Sequence, residues 1–383
     1  MKARPPGRYV TTTVTGESVR AFVPDPLPPR LSATSLQELN GPLQAAEAAL
    51  ARLDLAGEMI PSLDWFIYAF VRKEALLSSE IEGTEATLED VLAWEQAEQT
   101  GASSIEDIEE VTNYVAAVKH AFGQVRSPKG APISVRLLND CHRILMQGSR
   151  GASKQPGEIR RSQNWIGGSR PGNAVFVPPP PQRIAGLLGD LERYIHGRDD
   201  LAPLLRVALV HVQFETIHPY LDGNGRLGRM LIALLLDHWR LLNSPLLYLS
   251  LHFKRNQAAY YRWLDAIRTE GDWAGWLKFF LAGVAEVADD ATRTARAIYA
   301  RVGKDRQQLL AAPGATVTAI QLFEQLPAHP VITMPLVTRL LATSKPTAGK
   351  AIDVLIGAGI LREIGERKRD RLYRYEGYLQ LLE

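Results

Sequence analysis

Apolar residues recur at three- and four-residue spacing through most of the chain. Leu36, Leu39, Leu43, Ala46 and Leu50 form one stripe, and Trp65, Ile67, Phe70, Val71 and Leu76 begin a second, so residues 35 to about 120 read as helical. Ile133, Leu137, Leu138, Cys141, Ile144 and Leu145 predict a further helix. The pattern then breaks at a Gly- and Ser-rich loop, 148–157. Short mixed segments at 159–177, interrupted by Gly167-Gly168 and Gly172-Asn173, predict a hairpin that Pro178 to Pro181 terminate. Helices resume over 184–196, 201–217, 225–242 and 253 to about 301. Residues 1–32, with Pro24, Pro26, Pro28 and Pro29, read as an extended proline-rich arm.

The last 75 or so residues follow a different rhythm. Residues 320–326, 334–341 and 347–358 predict three short helices, and 360–364 and 371–375 two strands joined by a charged turn. That is a winged-helix pattern, with the boundary between 301 and 316. The expected fold class is mainly α. It divides into the arm (1–32), an N-terminal helical region (33–125), a helical core with a small β-hairpin (126–300) and a winged-helix-like domain (305–383).

Composition changes this picture little. The chain has 383 residues, 46% hydrophobic and 22% charged, with a formal net charge of +2, which suits an ordinary globular protein and gives no global field for nucleic acid or membrane. The single Cys141 excludes an intramolecular disulfide and a cysteine zinc site, and a reducing cytoplasmic setting is expected. Met1 to Gly7 lack an apolar core and are not expected to be a signal peptide, and no segment approaches the roughly 18 apolar residues of a membrane span.

Between two apolar helical stretches stands His218-Pro219-Tyr220-Leu221-Asp222-Gly223-Asn224-Gly225-Arg226-Leu227-Gly228-Arg229. Its parts suit nucleotide phosphate chemistry. His218 is a general base near neutrality. Asp222 offers one carboxylate, enough for Mg²⁺ when phosphates and waters complete the shell. Gly223 and Gly225 let a phosphate approach the backbone at a helix N-terminus, and Asn224 can donate to it. Arg226 and Arg229 share one helix face. Two cations at a helix N-terminus oppose the macrodipole unless an anion lies between them. No GxxxxGK[ST] occurs, so a P-loop kinase is not expected.

This run resembles the Fic signature, HPFxDGNGRxxR, with Tyr220 in place of the usual Phe. The resemblance extends over about residues 50–300. It implies transfer of AMP from ATP, with Mg²⁺, to a hydroxyl side chain of a protein, this chain itself included. Ser78, Glu82 and Gly83 resemble the family's inhibitory motif, [S/T]xxxE[G/N]. That likeness implies that Glu82 pairs with Arg229 and takes the place of the γ-phosphate. Residues 163–177 resemble the family's target-docking flap, and Asn256, Tyr260 and Tyr261 fall where relatives border the adenine. A homodimer is compatible with the resemblance. Rival readings are another donor, removal of AMP, or a nucleotide-sensing transcriptional regulator that uses the C-terminal domain. Arg362, Arg367, Lys368, Arg369, Arg371 and Arg374 make its wing modestly basic, and DNA is the weaker expectation for it.

Overall fold

The computed structural model describes residues 6–58, 63–94, 104–148, 151–364 and 371–382, without the side chains of 63–69 and 93. The expected apolar positions Trp65 and Ile67, and wing residues Arg367, Lys368 and Arg369, therefore lie outside the described side chains.

The N-terminal arm is not a loose extended segment. Gly7–Val14 (β1) and Glu17–Pro24 (β2) form an antiparallel hairpin, paired from Gly7↔Pro24 to Val14↔Glu17. The cause is readable: β-branched runs flank Thr15-Gly16, both at positive φ (50° and 85°), the two-residue turn that matches strand twist. The prolines begin only where β2 ends. Val14, Val19 and Ala21 pack with Val177, and Phe22 N–H donates to Val177 O at 2.9 Å, so the hairpin leans on the expected flap. The flap itself is shorter than a hairpin. Ile166 and Phe176 form one bridge, and a 3₁₀ turn at Pro171–Asn173 caps the tip. Pro171 and the left-handed Gly167 and Gly168 interrupt any longer ladder.

The helices follow in order: α1 (Ala33–Glu58), α2 (Leu63–Ile81), α3 (Leu88–Trp94), α4 (Ile105–Arg126), α5 (Val135–Leu145), α6 (Pro181–His196), α7 (Pro203–Ile217), α8 (Asn224–His238), α9 (Ser250–Arg255), α10 (Gln257–Glu270) and α11 (Trp273–Ala311). Helix α7 is central: every residue from Leu204 to Ile217 is buried, which is why it is apolar nearly all round. Its partner α8 is buried almost as completely. Helix α1 runs along α11, with Ala46 and Ala49 allowing close approach.

The single helix expected over 253–301 is three. Gly271 (φ 70°) ends α10, and Asp272 caps α11 by accepting Gly275 N–H. Helix α11 also passes the expected core limit at 300 and runs to Ala311. Beyond it come α12 (Val317–Gln325), β3 (Val331–Thr333), α13 (Met334–Leu340), α14 (Lys345–Gly357), β4 (Leu361–Ile364), β5 (Leu372–Tyr375) and α15 (Glu376–Leu379). The three strands form an antiparallel sheet in the order β3-β5-β4. The additional strand, β3, is three residues long, too short for alternation to reveal.

The C-terminal unit is fastened to α11. Asp305, 1% exposed, accepts from Tyr375 Oη at 2.8 Å and Arg301 Nε at 2.7 Å, and Gln308 Nε2 donates to Ala358 O at 2.6 Å. Arg374 reaches Glu89 on α3 at 3.0 Å and also pairs with Glu376, so this basic residue is spent on carboxylates rather than left for phosphates. Arg371 likewise pairs with Glu363 at 3.3 Å. Among the described residues no helix is long and apolar enough to cross a membrane.

Asp305→Ala should leave the Tyr375 hydroxyl unpaired in a dry contact and cost about 2 kcal/mol. Urea denaturation checks this, and an unchanged midpoint would show that apolar packing alone docks the unit.

Candidate active site

The site forms where α7 ends and α8 begins. His218 caps α7 in the left-handed region (φ 48°, ψ 62°), a conformation His tolerates better than most residues, and its N–H donates to Phe214 O at 3.0 Å. A buried arginine fixes it there. Arg160, 1% exposed, donates from Nε to His218 O at 2.9 Å, from Nη1 to Ser162 O at 3.1 Å and from Nη2 to Pro179 O at 2.6 Å, while its own N–H donates to Pro219 O at 2.9 Å. Sequence reasoning passed over Arg160, because one arginine beside Arg161 in a loop carries no periodic signal. Burial and the Arg160 guanidinium push the His218 imidazole down to about 4, against the opposing charge of Glu82. His218 is thus neutral near pH 7, and its Nδ1 is buried without a hydrogen-bond partner.

Tyr220, in the place of the usual Phe, is fully buried. It stacks on His142 at 3.9 Å between centroids, and its hydroxyl donates to Asn139 Oδ1 at 2.8 Å, so the extra oxygen is satisfied. Asn224 has a structural role that the sequence did not show. Its Oδ1 accepts Tyr220 N–H at 2.9 Å and its Nδ2 donates to Tyr220 O at 2.9 Å. The side chain braces the loop with Oδ1 and one of the two Nδ2 hydrogens, so Asn224 can offer an anion its backbone N–H and its second amide hydrogen. That backbone N–H, with those of Gly225 and Arg226, precedes the first helical bond of α8, Leu227 N–H to Gly223 O at 3.0 Å. A Cβ on Gly223 (φ 73°) would lie 2.8 Å from Met146 Sδ, so the cradle needs glycine twice over.

Asp222 carries a side chain 48% exposed, and its Oδ1 accepts Gly223 N–H at 2.6 Å. Among the described residues no cluster of three or more His, Cys, Asp or Glu is placed to hold a metal. One carboxylate beside an anion cradle suits a hard cation whose remaining ligands are phosphate oxygens and water.

The expected pair of Glu82 with Arg229 is present. Helix α2 ends at Ile81, Gly83 (φ 95°) turns the chain, and Glu82 Oε1 accepts Arg229 Nη2 at 2.7 Å. Ser78 completes the clasp: its Oγ accepts Arg229 Nε and its carbonyl accepts Nη2, both at 2.8 Å. A Cβ on Gly225 would lie 2.3 Å from Glu82 Oε1, so this glycine admits the pair. Burial opposes ionisation of Glu82, but the guanidinium of Arg229, aided by Arg226 and His218, outweighs it and holds the carboxyl below its usual range. Arg226 is also paired. Its Nη1 meets Glu110 Oε1 from α4 at 3.1 Å, and Glu110 Oε2 in turn accepts the Thr84 hydroxyl.

Two further carboxyls, unflagged by sequence because they sit on apolar helices, lie behind Arg229. Burial pushes both Glu74 and Glu215 up to about 7. Glu74 accepts Ser250 N–H at 3.1 Å, and Gln257 Nε2 donates to Ile81 O at 3.1 Å, so α2 is tied to α9 and α10. Of the expected adenine neighbours, Tyr260 is core, its hydroxyl bonded to His211 Nε2 at 3.0 Å. Asn256 Nδ2 donates to His252 O at 3.0 Å. Tyr261 is 46% exposed, and burial of part of its phenol, with the charge of Glu82 adding to it, raises its pKa.

Comparison with known proteins agrees with this geometry. Residues 41–123 match the family model described as Fic/DOC family N-terminal, and residues 132–236 that of the Fic/DOC family. Over these residues the chain carries the two domains that those models describe. It is 30% identical over 149 residues to protein adenylyltransferase Fic of Drosophila erecta, covering 38% of this chain and 27% of that protein. It is 33% identical over 125 residues to the Drosophila melanogaster protein of the same name, covering 32% and 23%. The match thus spans about a quarter of these curated relatives. A crystal structure of a Fic family protein from Desulfovibrio desulfuricans covers 91% of this chain and 98% of its own at 21% identity, with a TM-score of 0.57. Caenorhabditis elegans Fic-1 covers 70% and 74% at 20% identity, with a TM-score of 0.52. At those identities the likeness is one of fold.

The His218 imidazole should remain neutral on acidification from pH 7 to 5.5. Nitrogen-15 NMR of the histidine rings checks this, and a midpoint at or above the ordinary 6.5 would contradict the burial argument.

Proposed function

We propose that this chain is a protein adenylyltransferase that moves AMP from ATP to a hydroxyl side chain of a protein and is held off by Glu82. The observation that carries the reading is the Glu82–Arg229 pair at 2.7 Å, seated over Gly225 at the N-terminus of α8. A carboxylate held where backbone N–H groups and an arginine converge occupies a place built for an anion. It balances the buried charge of Arg229 and, in doing so, excludes another anion.

In the working state Arg229 and Arg226 hold the distal phosphates, and the N–H groups of Asn224, Gly225 and Arg226 face the α-phosphate. The target hydroxyl oxygen forms a bond to the α-phosphorus, and the bond from that phosphorus to the β-phosphate bridging oxygen breaks. The hydroxyl proton passes to neutral His218, and pyrophosphate leaves. Asp222 would hold the divalent cation, whose contribution is to neutralise phosphate charge. The flap, with Val175 74% exposed and Ile166 36% exposed, offers an edge on which an extended target segment pairs. The neighbouring hairpin β1–β2 already takes the Val177 side, which leaves the side of Gln163 to Gly168. A self-modifying dimer falls within the same chemistry. The C-terminal unit serves in this reading as a docking module, since two of its wing arginines are already paired.

A charge-assisted pair of this kind contributes roughly 1.5–3 kcal/mol, so Glu82→Gly should raise transfer about 10- to 150-fold. Intact-mass spectrometry after incubation with Mg²⁺ and ATP reads this as gained AMP units. Adding His218→Ala should then cost roughly 10²–10⁴ in rate. Equal modification of wild type and Glu82→Gly would end the inhibitory reading. Modification by GTP or CTP but not ATP would reassign the donor.

A further inference from the structure

Arg226 has two carboxylates within reach. Glu110 approaches Nη1 to 3.1 Å, and Asp222, four residues earlier on the loop, approaches Nη2 to 3.6 Å. The guanidinium is 4% exposed, Glu110 19% and Asp222 48%. Attraction between charges strengthens as water is withdrawn, so the nearer and drier carboxylate holds the arginine. Glu110 is itself fixed, because its second oxygen accepts the hydroxyl of Thr84, two residues beyond Glu82. Met146 Sδ closes another side of the guanidinium at 3.7 Å.

We propose that Glu110 is a positioning residue: it competes with Asp222 for Arg226 and keeps that second pair long, so that Asp222 retains lone pairs for a divalent cation and Arg226 keeps its place for phosphates. The inference rests on the AMP-transfer reading above. Glu82 and Glu110 each face one of the two arginines, yet they act with opposite sign. Glu82 covers the anion cradle at Gly225. Glu110 approaches from α4, on the side of Met146 and Gln147, which together with Glu106 and Glu109 line a cleft beside Arg226. Without Glu110 the only remaining ion-pair partner of Arg226 among the described residues is Asp222. The pair would close, and a guanidinium would occupy the carboxylate a cation needs.

The test uses the full chain in the Glu82→Gly background, with Mn²⁺ as the probe. Electron paramagnetic resonance measures free Mn²⁺ during titration in the presence of a non-hydrolysable ATP analogue. Glu110→Gln is expected to weaken Mn²⁺ binding about tenfold, as is usual for residues that orient a metal's ligands. The Mg²⁺ concentration for half-maximal AMP transfer should rise in parallel, and the maximal rate should move less. Glu109→Gln, on the same cleft, should change neither. If Glu110→Gln does not fold, as judged by its melting curve, Glu110→Asp takes its place and should show a smaller shift in the same direction. Unchanged Mn²⁺ affinity in a folded variant overturns the proposal. So does activation by Glu110→Gln in a chain that retains Glu82, because Glu110 would then be a second lock. Absence of AMP transfer by Glu82→Gly itself would remove the enzymatic reading, while the Mn²⁺ titration would still report on Glu110.

Discussion

A buried guanidinium needs a counter-charge, and Arg229 sets the terms for everything around it. It is 3% exposed, on the second turn of α8. Removing its partner would leave an uncompensated charge in a dry site, which is strongly unfavourable. The chain supplies Glu82 and both polar groups of Ser78. A nucleotide would supply phosphate oxygens. In the proposed function the two solutions exclude each other, because Glu82 stands over Gly225 where the phosphates would lie. In the proposed function, regulation and binding are then the same electrostatic requirement met in two ways.

Much of this was legible beforehand. His218, Asp222, the two loop glycines and the two arginines follow each other within one turn-and-helix, so their chemistry is local and can be read from spacing. The link from Ser78 and Glu82 to Arg229 spans about 150 positions and came from resemblance, since a glutamate at a helix end has no intrinsic mark. Arg160, Glu110, Glu74 and Glu215 were not legible. Each acts through tertiary contacts, and an isolated charge in an apolar helix or a loop looks the same whether it is buried against an arginine or solvated. The loop-bracing bonds of Asn224 were not legible for a related reason: an amide beside a phosphate loop and an amide bonded to its own loop have the same sequence.

In the fold, errors followed composition. Prolines at 24, 26, 28 and 29 coloured the reading of the whole arm, although the strands lie before them and the Thr15-Gly16 turn announces them. The long helical run after 253 concealed two breaks, one of them at Gly271. The third strand of the C-terminal sheet is too short for any periodic signal, and only its pairing with β5 defines it.

The 39 residues of α11 join the two halves of the molecule without a joint. At 1.5 Å per residue the helix is about 58 Å long. Its start lies beside α10, α9 and α7, and its last turns hold the C-terminal sheet through Asp305 and Gln308. Such a rod acts as a ruler. Under the proposed function, anything the C-terminal unit gripped would be presented at a set distance and angle from His218, and an acceptor would be chosen by where its hydroxyl stands on a folded surface as much as by the residues that flank it.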